Sequence, residues 1–173
     1  MTAIRPVHLS DAAEIAALRR DNRDHLAPWE PLRDDEHFTD ASVLERIASD
    51  IAAAEIDAGR SLVILDGGRI VGQIALNSII RGAFQSCSIA YWVAKSETGR
   101  GVATAAVRLA KRVAFEDLGL HRVQGEVLPH NLGSRKVLER TGFVRYGLAP
   151  EYLRIAGRWQ DHVLYQAISA DWA

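Results

Sequence analysis

The 173-residue sequence predicts one mixed α/β domain, in which helices accompany a mostly antiparallel sheet. Short apolar segments with alternating polarity, separated by glycine-containing turns, indicate strands. Longer segments with apolar residues at helical spacing indicate helices. Hydrophobic residues make up 48% of the chain, which is enough for a core. Since no linker, repeat or low-complexity tract divides the sequence, a single domain over residues 1–173 is expected.

The N-terminal third predicts two helices and a long loop. The helices are expected to begin at Ser10 and at Asp40, and Gly59 is placed to end the second one. Residues 25–39 between them form the one long irregular segment. Loops of this length inside compact domains are usually functional or disordered, and two prolines and Trp29 favour a functional loop here.

The remainder alternates strands with two further helices. Gly67-Gly68 and Ala156-Gly157 each predict the turn of a β-hairpin. One helix is expected to follow Gly101, and the other to follow Asn131. The predicted strands are Ser61–Asp66, Arg69–Ile80, Ser86–Ala94, Arg122–Leu128, Phe143–Ile155 and Arg158–Ala167.

The turn Gly99-Arg100-Gly101 is a candidate anion site, since it stands between a predicted strand and a predicted helix. A glycine turn that opens a helix offers free backbone N–H groups, and the helix dipole adds positive potential there. Glycine also lets the main chain approach a pyrophosphate closely. The turn lacks the Gly-Lys-Ser/Thr of a P-loop and the third glycine of a dinucleotide fingerprint. Alone, it is equally well explained as an ordinary strand-to-helix turn.

A second motif follows in the pattern Asn131-x-x-Ser134-x-x-x-Leu138-x-x-x-Gly142-Phe143. Asn131 is well placed as the N-cap of a short helix, and Gly142 as its C′ residue. The two motifs together resemble the Gcn5-related N-acetyltransferases (GNAT). Residues 22–34 and 151–162 are similar to the RimJ/RimL branch, and most similar to RimJ. Members of that branch acetylate the N-terminal amine of ribosomal proteins.

The resemblance implies the GNAT fold, in which two strands splay apart and hold the CoA arm, and it implies acetyl-CoA as co-substrate. The Val93 N–H is expected to stabilise the oxyanion, an interaction that can be worth about 3 kcal/mol. The alternative is that Tyr91 and Val93 only fill the core. The implied cofactor-binding residues are Tyr91, Val93, Thr98, Gly99, Arg100, Gly101, Val102, Ala103, Thr104, Asn131, Ser134 and Lys136.

The resemblance also implies catalytic roles for two side chains. Ser134 is expected to donate a hydrogen bond to the leaving thiolate, and the alternative is that it is only a first-turn residue of the helix. Glu151 is the candidate general base, with a surface carboxylate as the alternative. The glutamate proposed as base in the RimL branch falls at Leu153. Thr98 and Ser88 depart from the family pattern, which often has Gln or Arg at the first position and an acid at the second.

The acceptor site is expected in the Trp29 loop. Trp29 and Tyr152 are predicted to wall its entrance. Asp34, Asp35 and Glu36, with Asp40 at the start of the next helix, are predicted to attract a basic protein N-terminus. The alternative is a solvated acidic loop beside a core tryptophan.

Composition limits the possible partners. A formal net charge of −1 favours neither nucleic acid nor an anionic membrane, and no apolar run reaches the length of a membrane span. A single cysteine, Cys87, excludes an internal disulfide and fits a cytoplasmic protein. The histidines show no metal-ligand spacing, so no metal is expected. The acceptor can also be a small-molecule amine, and the acyl group can be other than acetyl. The protein can alternatively be a CoA-binding module for ribosome association, and it can form a homodimer.

Overall fold

The computed structural model describes residues 1–170, so residues 171–173 of the predicted domain lie outside the described residues. Seven strands form one sheet in the order β1-β2-β3-β4-β5-β7-β6. The strands are β1 (Thr2–Pro6), β2 (Arg60–Asp66), β3 (Arg69–Ile80), β4 (Ser86–Val93), β5 (Arg122–Val127), β6 (Val144–Ile155) and β7 (Arg158–Ile168). The helices are α1 (Ala12–Asp21), α2 (Arg23–Leu26), α3 (Asp40–Glu55), α4 (Val102–Arg112) and α5 (Leu132–Arg140).

Helices cover both faces of the sheet, because each face carries its own apolar core. On one face, α1 and α3 bury residues such as Ile15 and Ile47 against β2 and β3. On the other face, α4 and α5 bury residues such as Val107 and Leu138 against the central strands. The GNAT architecture expected from the sequence, a mixed and mostly antiparallel sheet between helices, is therefore confirmed.

The one parallel pair of the sheet opens after three residues. Strands β4 and β5 are paired from Ser86 opposite Arg122 to Ser88 opposite Gln124, and their register ends there. Strand β4 continues to Val93 alongside β3 alone, and β5 continues to Val127 alongside β7 alone. The splayed strands that the resemblance implied are thus present, and they leave a gap between Ile89–Val93 and Gly125–Val127.

Both predicted hairpin turns are formed. Gly67 and Gly68 have φ values of 57° and 83°, and Ala156 and Gly157 have φ values of 48° and 82°. Two successive left-handed residues are what a tight two-residue hairpin requires.

The structure differs from the prediction mainly in the N-terminal third. Strand β1, which the sequence did not predict, pairs with β2 at the edge of the sheet. The segment 25–39 is not wholly irregular, since it contains the end of α2 and 3₁₀ turns at Ala27–Trp29 and Glu36–Phe38. Helix α3 ends at Glu55, before Gly59, and Thr39 caps its start by accepting a hydrogen bond from the Ser42 N–H (3.2 Å).

Candidate active site

Main-chain groups of β4 face the gap between β4 and β5. The Ala94 N–H donates to the Val71 carbonyl oxygen beside β3 (2.8 Å), and a Cβ at Gly72 would overlap the carbonyl oxygen of Trp92. The main chain at 92 and 94 is therefore directed toward β3. Because this direction alternates along a strand, the N–H groups of Tyr91 and Val93 are directed toward the gap. An extended thioester arm can pair with them there, and the Val93 N–H can approach its carbonyl oxygen.

The glycine turn before α4 has the geometry of an anion site. Gly99 and Gly101 have φ values of 80° and 81°, and a Cβ built at either position meets no heavy atom within 4 Å. The first intrahelical bond of α4 runs from the Ala105 N–H to the Gly101 oxygen (2.9 Å). The N–H groups of Val102, Ala103 and Thr104 consequently have no acceptor within the helix, and they lie at its positive end. The turn therefore fits the pyrophosphate of CoA.

Side chains near the turn differ in their availability. The Arg100 guanidinium forms an ion pair with the buried Glu97 carboxylate (3.0 Å), which holds it beside the turn. Thr98 is exposed, as is Lys136 on α5. Arg135, next to Lys136, donates to Tyr165 Oη (3.2 Å) and to the Pro129 carbonyl oxygen (3.0 Å). Arg135 therefore braces α5 against β7.

Ser134 and Tyr91 meet across the gap. The Ser134 hydroxyl lies 2.8 Å from Tyr91 Oη, and the Asn131 side chain caps α5 by accepting a hydrogen bond from the Ser134 N–H (3.1 Å). Burial raises the pKa of Tyr91 to about 12, so its phenol stays protonated at neutral pH. When Tyr91 donates to Ser134 Oγ, the Ser134 hydrogen is free to point elsewhere. Ser134 can then donate to a sulfur in the gap.

Glu126, which sequence reasoning did not select, lies at the opening on the opposite face of the sheet. Its neighbours Gly125 and Val127 face the core beneath α4 and α5, so Glu126 points to the other face. It lies two residues after Gln124, the last residue of β5 that is paired with β4. Burial raises the pKa of its carboxyl group. It lines a cavity of about 310 Å³, the Glu126 cavity, together with Ser88 and Tyr152.

The predicted base, Glu151, has a different setting. Glu151 is exposed and has a φ of 45°, within an irregularity between Ala149 and Leu153 that interrupts the pairing of β6 with β7. Its N–H donates to the Asp161 carboxylate (2.9 Å), which braces this irregularity. Tyr152 and Leu153 line the Glu126 cavity from this segment, and the ring centroids of Tyr152 and His162 lie 5.7 Å apart. The geometry therefore favours Glu126 as base.

A larger cavity of about 510 Å³, the arginine cavity, lies between α1, α3 and the central strands. Three arginines line it: Arg19, Arg33 and Arg46. Trp29 also lines it and contacts the His130 ring at 5.5 Å. Trp29 and Tyr152, predicted to wall one entrance, thus line two different cavities.

The acidic residues at 34, 35, 36 and 40 do not line the arginine cavity, whereas Glu30, also in the Trp29 loop, does. Asp35 forms an ion pair with Arg23 (2.6 Å), and Asp40 forms one with Arg20 (2.9 Å). Asp34 accepts a hydrogen bond from the His37 N–H (3.0 Å). The attraction of a basic N-terminus by the acidic loop stays a prediction, with Asp35 and Asp40 held in exposed ion pairs.

Two further features bear on the chemistry. Cys87 is buried, and burial raises the pKa of its thiol to about 12, which makes it a poor nucleophile. Within residues 1–170, no group of three or more His, Cys, Asp or Glu side chains is arranged to hold a metal ion. In the same part of the chain, no helix is long and apolar enough to cross a membrane.

The splayed strands, the glycine turn and the Tyr91–Ser134 pair together define an acyltransferase that uses a CoA thioester. Comparison with known proteins gives the same result. Residues 2–144 match the model of the acetyltransferase (GNAT) domain. The chain therefore belongs to the GNAT family, and it is an acetyl-CoA-dependent acyltransferase.

Three relatives show where the chain stands within the family. It is 36% identical over 170 residues to a probable N-acetyltransferase of Bacillus subtilis, YjcK, which covers 97% of this chain and 94% of the relative. It is 32% identical over 171 residues to the ribosomal protein uS5-alanine N-acetyltransferase of Escherichia coli, which covers 98% and 88%. The structure of Mycobacterium smegmatis RimJ in complex with CoA-disulfide superposes with a TM-score of 0.95, at 35% identity, and covers 98% and 83%.

Proposed function

We propose that this enzyme transfers the acetyl group of acetyl-CoA to the N-terminal α-amine of a ribosomal protein. The observation that carries the proposal is the similarity, over nearly the full chain, to the uS5-alanine N-acetyltransferase of Escherichia coli. Acetyl-CoA and ribosomal proteins are both cytoplasmic, so the proposal includes a cytoplasmic location.

The residues at the strand opening supply what direct transfer requires. The amine nitrogen attacks the thioester carbon, the N–C bond forms, and the C–S bond breaks. The Val93 N–H faces the developing oxyanion, and Ser134, with Tyr91 behind it, donates a hydrogen bond to the departing thiolate. Glu126 takes the proton from the amine on the face opposite α4 and α5. Since a free α-amine has a pKa of about 8, a base of modest strength is sufficient.

The geometry also supports a ternary complex in which both substrates are bound together. The CoA arm pairs with β4 within the gap, while the acceptor approaches from the face that carries Glu126. An acyl-enzyme would need a nucleophile at the opening, and the thiol of Cys87 is buried in the core.

A matched pair of peptides tests the acceptor. Both copy the N-terminal sequence of uS5 and include a lysine; one has a free α-amine and the other has that amine blocked. We expect release of the CoA thiol with the free peptide only. Release with the blocked peptide would instead assign the activity to lysine side chains. Release with polyamines or aminoglycosides but with neither peptide would assign it to small-molecule amines.

A further inference from the structure

The arginine cavity carries positive charge, and the acetyl transfer step described above does not use it. The Arg19 guanidinium forms an ion pair with Glu30 (3.1 Å), so its charge is partly balanced. Arg46 donates instead to neutral groups, the His37 carbonyl oxygen (2.9 Å) and the His37 ring. Arg33 is exposed and forms no hydrogen bond or ion pair within residues 1–170. Two of the three guanidinium groups therefore face the cavity without a carboxylate partner within ion-pair distance.

His37 reports the sign of the potential in this cavity. Its pKa is lowered to about 4, first by burial and then by the charges of Arg46, Arg33 and Arg19, against a smaller opposing effect of Asp34. The pKa of Arg46 is itself lowered by burial and then by Arg19 and Arg33, with Asp50 and Glu30 acting in the opposite direction. Burial is the larger cause of both shifts, and the arginine charges add to it despite the two carboxylates, which fits an excess of positive charge in the cavity.

The same cavity contains a buried donor that lacks an acceptor. The Nε1–H of Trp92 is buried and has no hydrogen-bond partner within residues 1–170. The Arg19 guanidinium lies over the ring of this tryptophan, 4.8 Å from its centroid. Buried donors are nearly always satisfied in folded proteins, so an unpaired N–H in the cavity wall adds to the positive character of this region.

The cavity reaches the reaction site through Tyr91. Tyr91 lines the cavity and its hydroxyl contacts Ser134, so one residue joins the arginine cavity to the sulfur side of the gap. An extended peptide advances about 3.3 Å per residue. A peptide whose amine lies at the opening can therefore extend its next few residues toward the cavity.

We infer that the arginine cavity binds a carboxylate of the acceptor, so that the preferred N-terminus carries an acidic side chain within its first few residues. This inference rests on the proposed function, because it takes the acceptor to be a peptide amine. It reverses the basic acceptor expected from the acidic loop. Arg33 and Arg46 supply the binding charge, and Trp29 forms part of the wall.

Three C-terminally amidated peptides test the inference. They share one free N-terminus and differ only in one residue, which is Glu, Gln or Lys. The set of three is made with this residue at the second, the third or the fourth position. At the best position we expect kcat/KM for thiol release to be about tenfold higher with Glu than with Gln, and lower again with Lys. Equal values for the three peptides would overturn the inference.

Arginine variants locate the effect. Arg33→Gln and Arg46→Gln are expected to lower turnover of the Glu peptide more than that of the Gln peptide, and Arg33→Glu to favour the Lys peptide. Arg112→Gln is the matched control, because Arg112 is exposed on α4, on the opposite face of the sheet. A Glu preference that survives in both Arg33→Gln and Arg46→Gln would overturn the assignment to this cavity.

Two outcomes separate this inference from the proposed function. If wild-type enzyme acetylates the Gln peptide but does not discriminate among the three, only the inference fails. If it acetylates none of them, the proposed peptide acceptor fails as well. A phosphoserine peptide preferred over the Glu peptide would assign the cavity to a phosphorylated acceptor and contradict the carboxylate.

Discussion

The Glu126 carboxyl group is partly buried at the edge of the strand opening, and this position accounts for both its chemistry and its energetic cost. Burial disfavours the charged form, which raises the pKa above the ordinary value of 4.5. A base with a raised pKa holds a proton more firmly, so it accepts one from an attacking amine more readily. When the same carboxyl group is ionised, its charge is partly removed from water, and this lowers the stability of the fold.

We predict that Glu126→Gln lowers kcat/KM by about 100-fold or more at pH 7, the size expected for loss of a general base. In the wild-type enzyme kcat/KM should rise with pH through two ionisations, that of Glu126 and that of the acceptor amine near 8. The variant should lose the lower one. Glu151→Gln is the matched control and should keep both. A pH profile unchanged in Glu126→Gln would exclude Glu126 as the base.

The same Glu126→Gln substitution that lowers activity should raise the stability of the fold at neutral pH. Because the folded-state pKa of Glu126 is raised, the protonated carboxyl group contributes stability that is fully present only below the unfolded-state pKa of about 4.5. This contribution is lost as pH rises through the raised folded-state pKa. We therefore predict a higher melting temperature for Glu126→Gln than for wild type at pH 7, with the difference shrinking below pH 4. A lower melting temperature at pH 7 would show that the carboxylate is satisfied in the fold.

The Tyr91–Ser134 pair should act as a unit. Ser134→Ala is predicted to lower kcat by about 10- to 100-fold, the range for one hydrogen bond to a charged group, while affinity for acetyl-CoA changes little. Tyr91→Phe should lower kcat less, and the double variant should be no worse than Ser134→Ala, since Tyr91 acts through Ser134. Steady-state kinetics with calorimetric titration separates these effects. Additive losses, or equal losses of kcat and affinity in Ser134→Ala, would contradict this role.

At the scale of elements, we expect the turn before α4 to bind the pyrophosphate of CoA through its main-chain N–H groups. Gly101 has a left-handed conformation that Asn tolerates better than most residues, and space is open around its Cα. We predict that Gly101→Asp abolishes CoA binding in a calorimetric titration, because it places a carboxylate beside the pyrophosphate. Gly101→Asn, which is nearly isosteric and uncharged, should retain measurable binding, and Thr98→Ala should change little. Equal losses in Gly101→Asp and Gly101→Asn would indicate a backbone effect instead.

Elements with strong local signals were predictable from the sequence. The hairpins at Gly67-Gly68 and Ala156-Gly157 and the N-cap at Asn131 were each predicted and are present, because turn and cap chemistry is set by a few adjacent residues. Strand β1 was not predicted. The strand has only five residues, ends at Pro6 and pairs only with β2 at the edge of the sheet. Its alternation of polar and apolar residues is therefore a weak signal.

Features that depend on how elements meet were out of reach. Alternation along β5 could have placed Glu126 on the polar face of a strand, but its importance arises from the separation of β4 and β5 beyond Gln124. The arginine cavity draws Arg19 from α1, Arg33 from the loop and Arg46 from α3. No spacing in the sequence indicates that these three side chains meet. The acidic run was visible in the sequence, whereas its ion pairs with Arg20 and Arg23 were not.

For the whole molecule, the two faces of the sheet divide the work. In the proposed reaction the CoA arm binds in the gap beside Ser134, on the side of α4 and α5, while the face beneath α1 and α3 carries the arginine cavity. The gap between β4 and β5 lies between them, and Tyr91 both lines the arginine cavity and contacts Ser134. Transfer across such a gap needs both substrates at once, which fits direct attack in a ternary complex.

The most direct test of the proposed reaction is intact-mass measurement of total ribosomal proteins incubated with acetyl-CoA and the enzyme, followed by sequencing of the modified peptides. We predict one added acetyl group on the N-terminal α-amine of a single ribosomal protein. The modification should be greatly reduced with Glu126→Gln and absent with Gly101→Asp. Acetylation confined to lysine side chains, or no ribosomal protein modified by an enzyme that turns over acetyl-CoA with small amines, would contradict it.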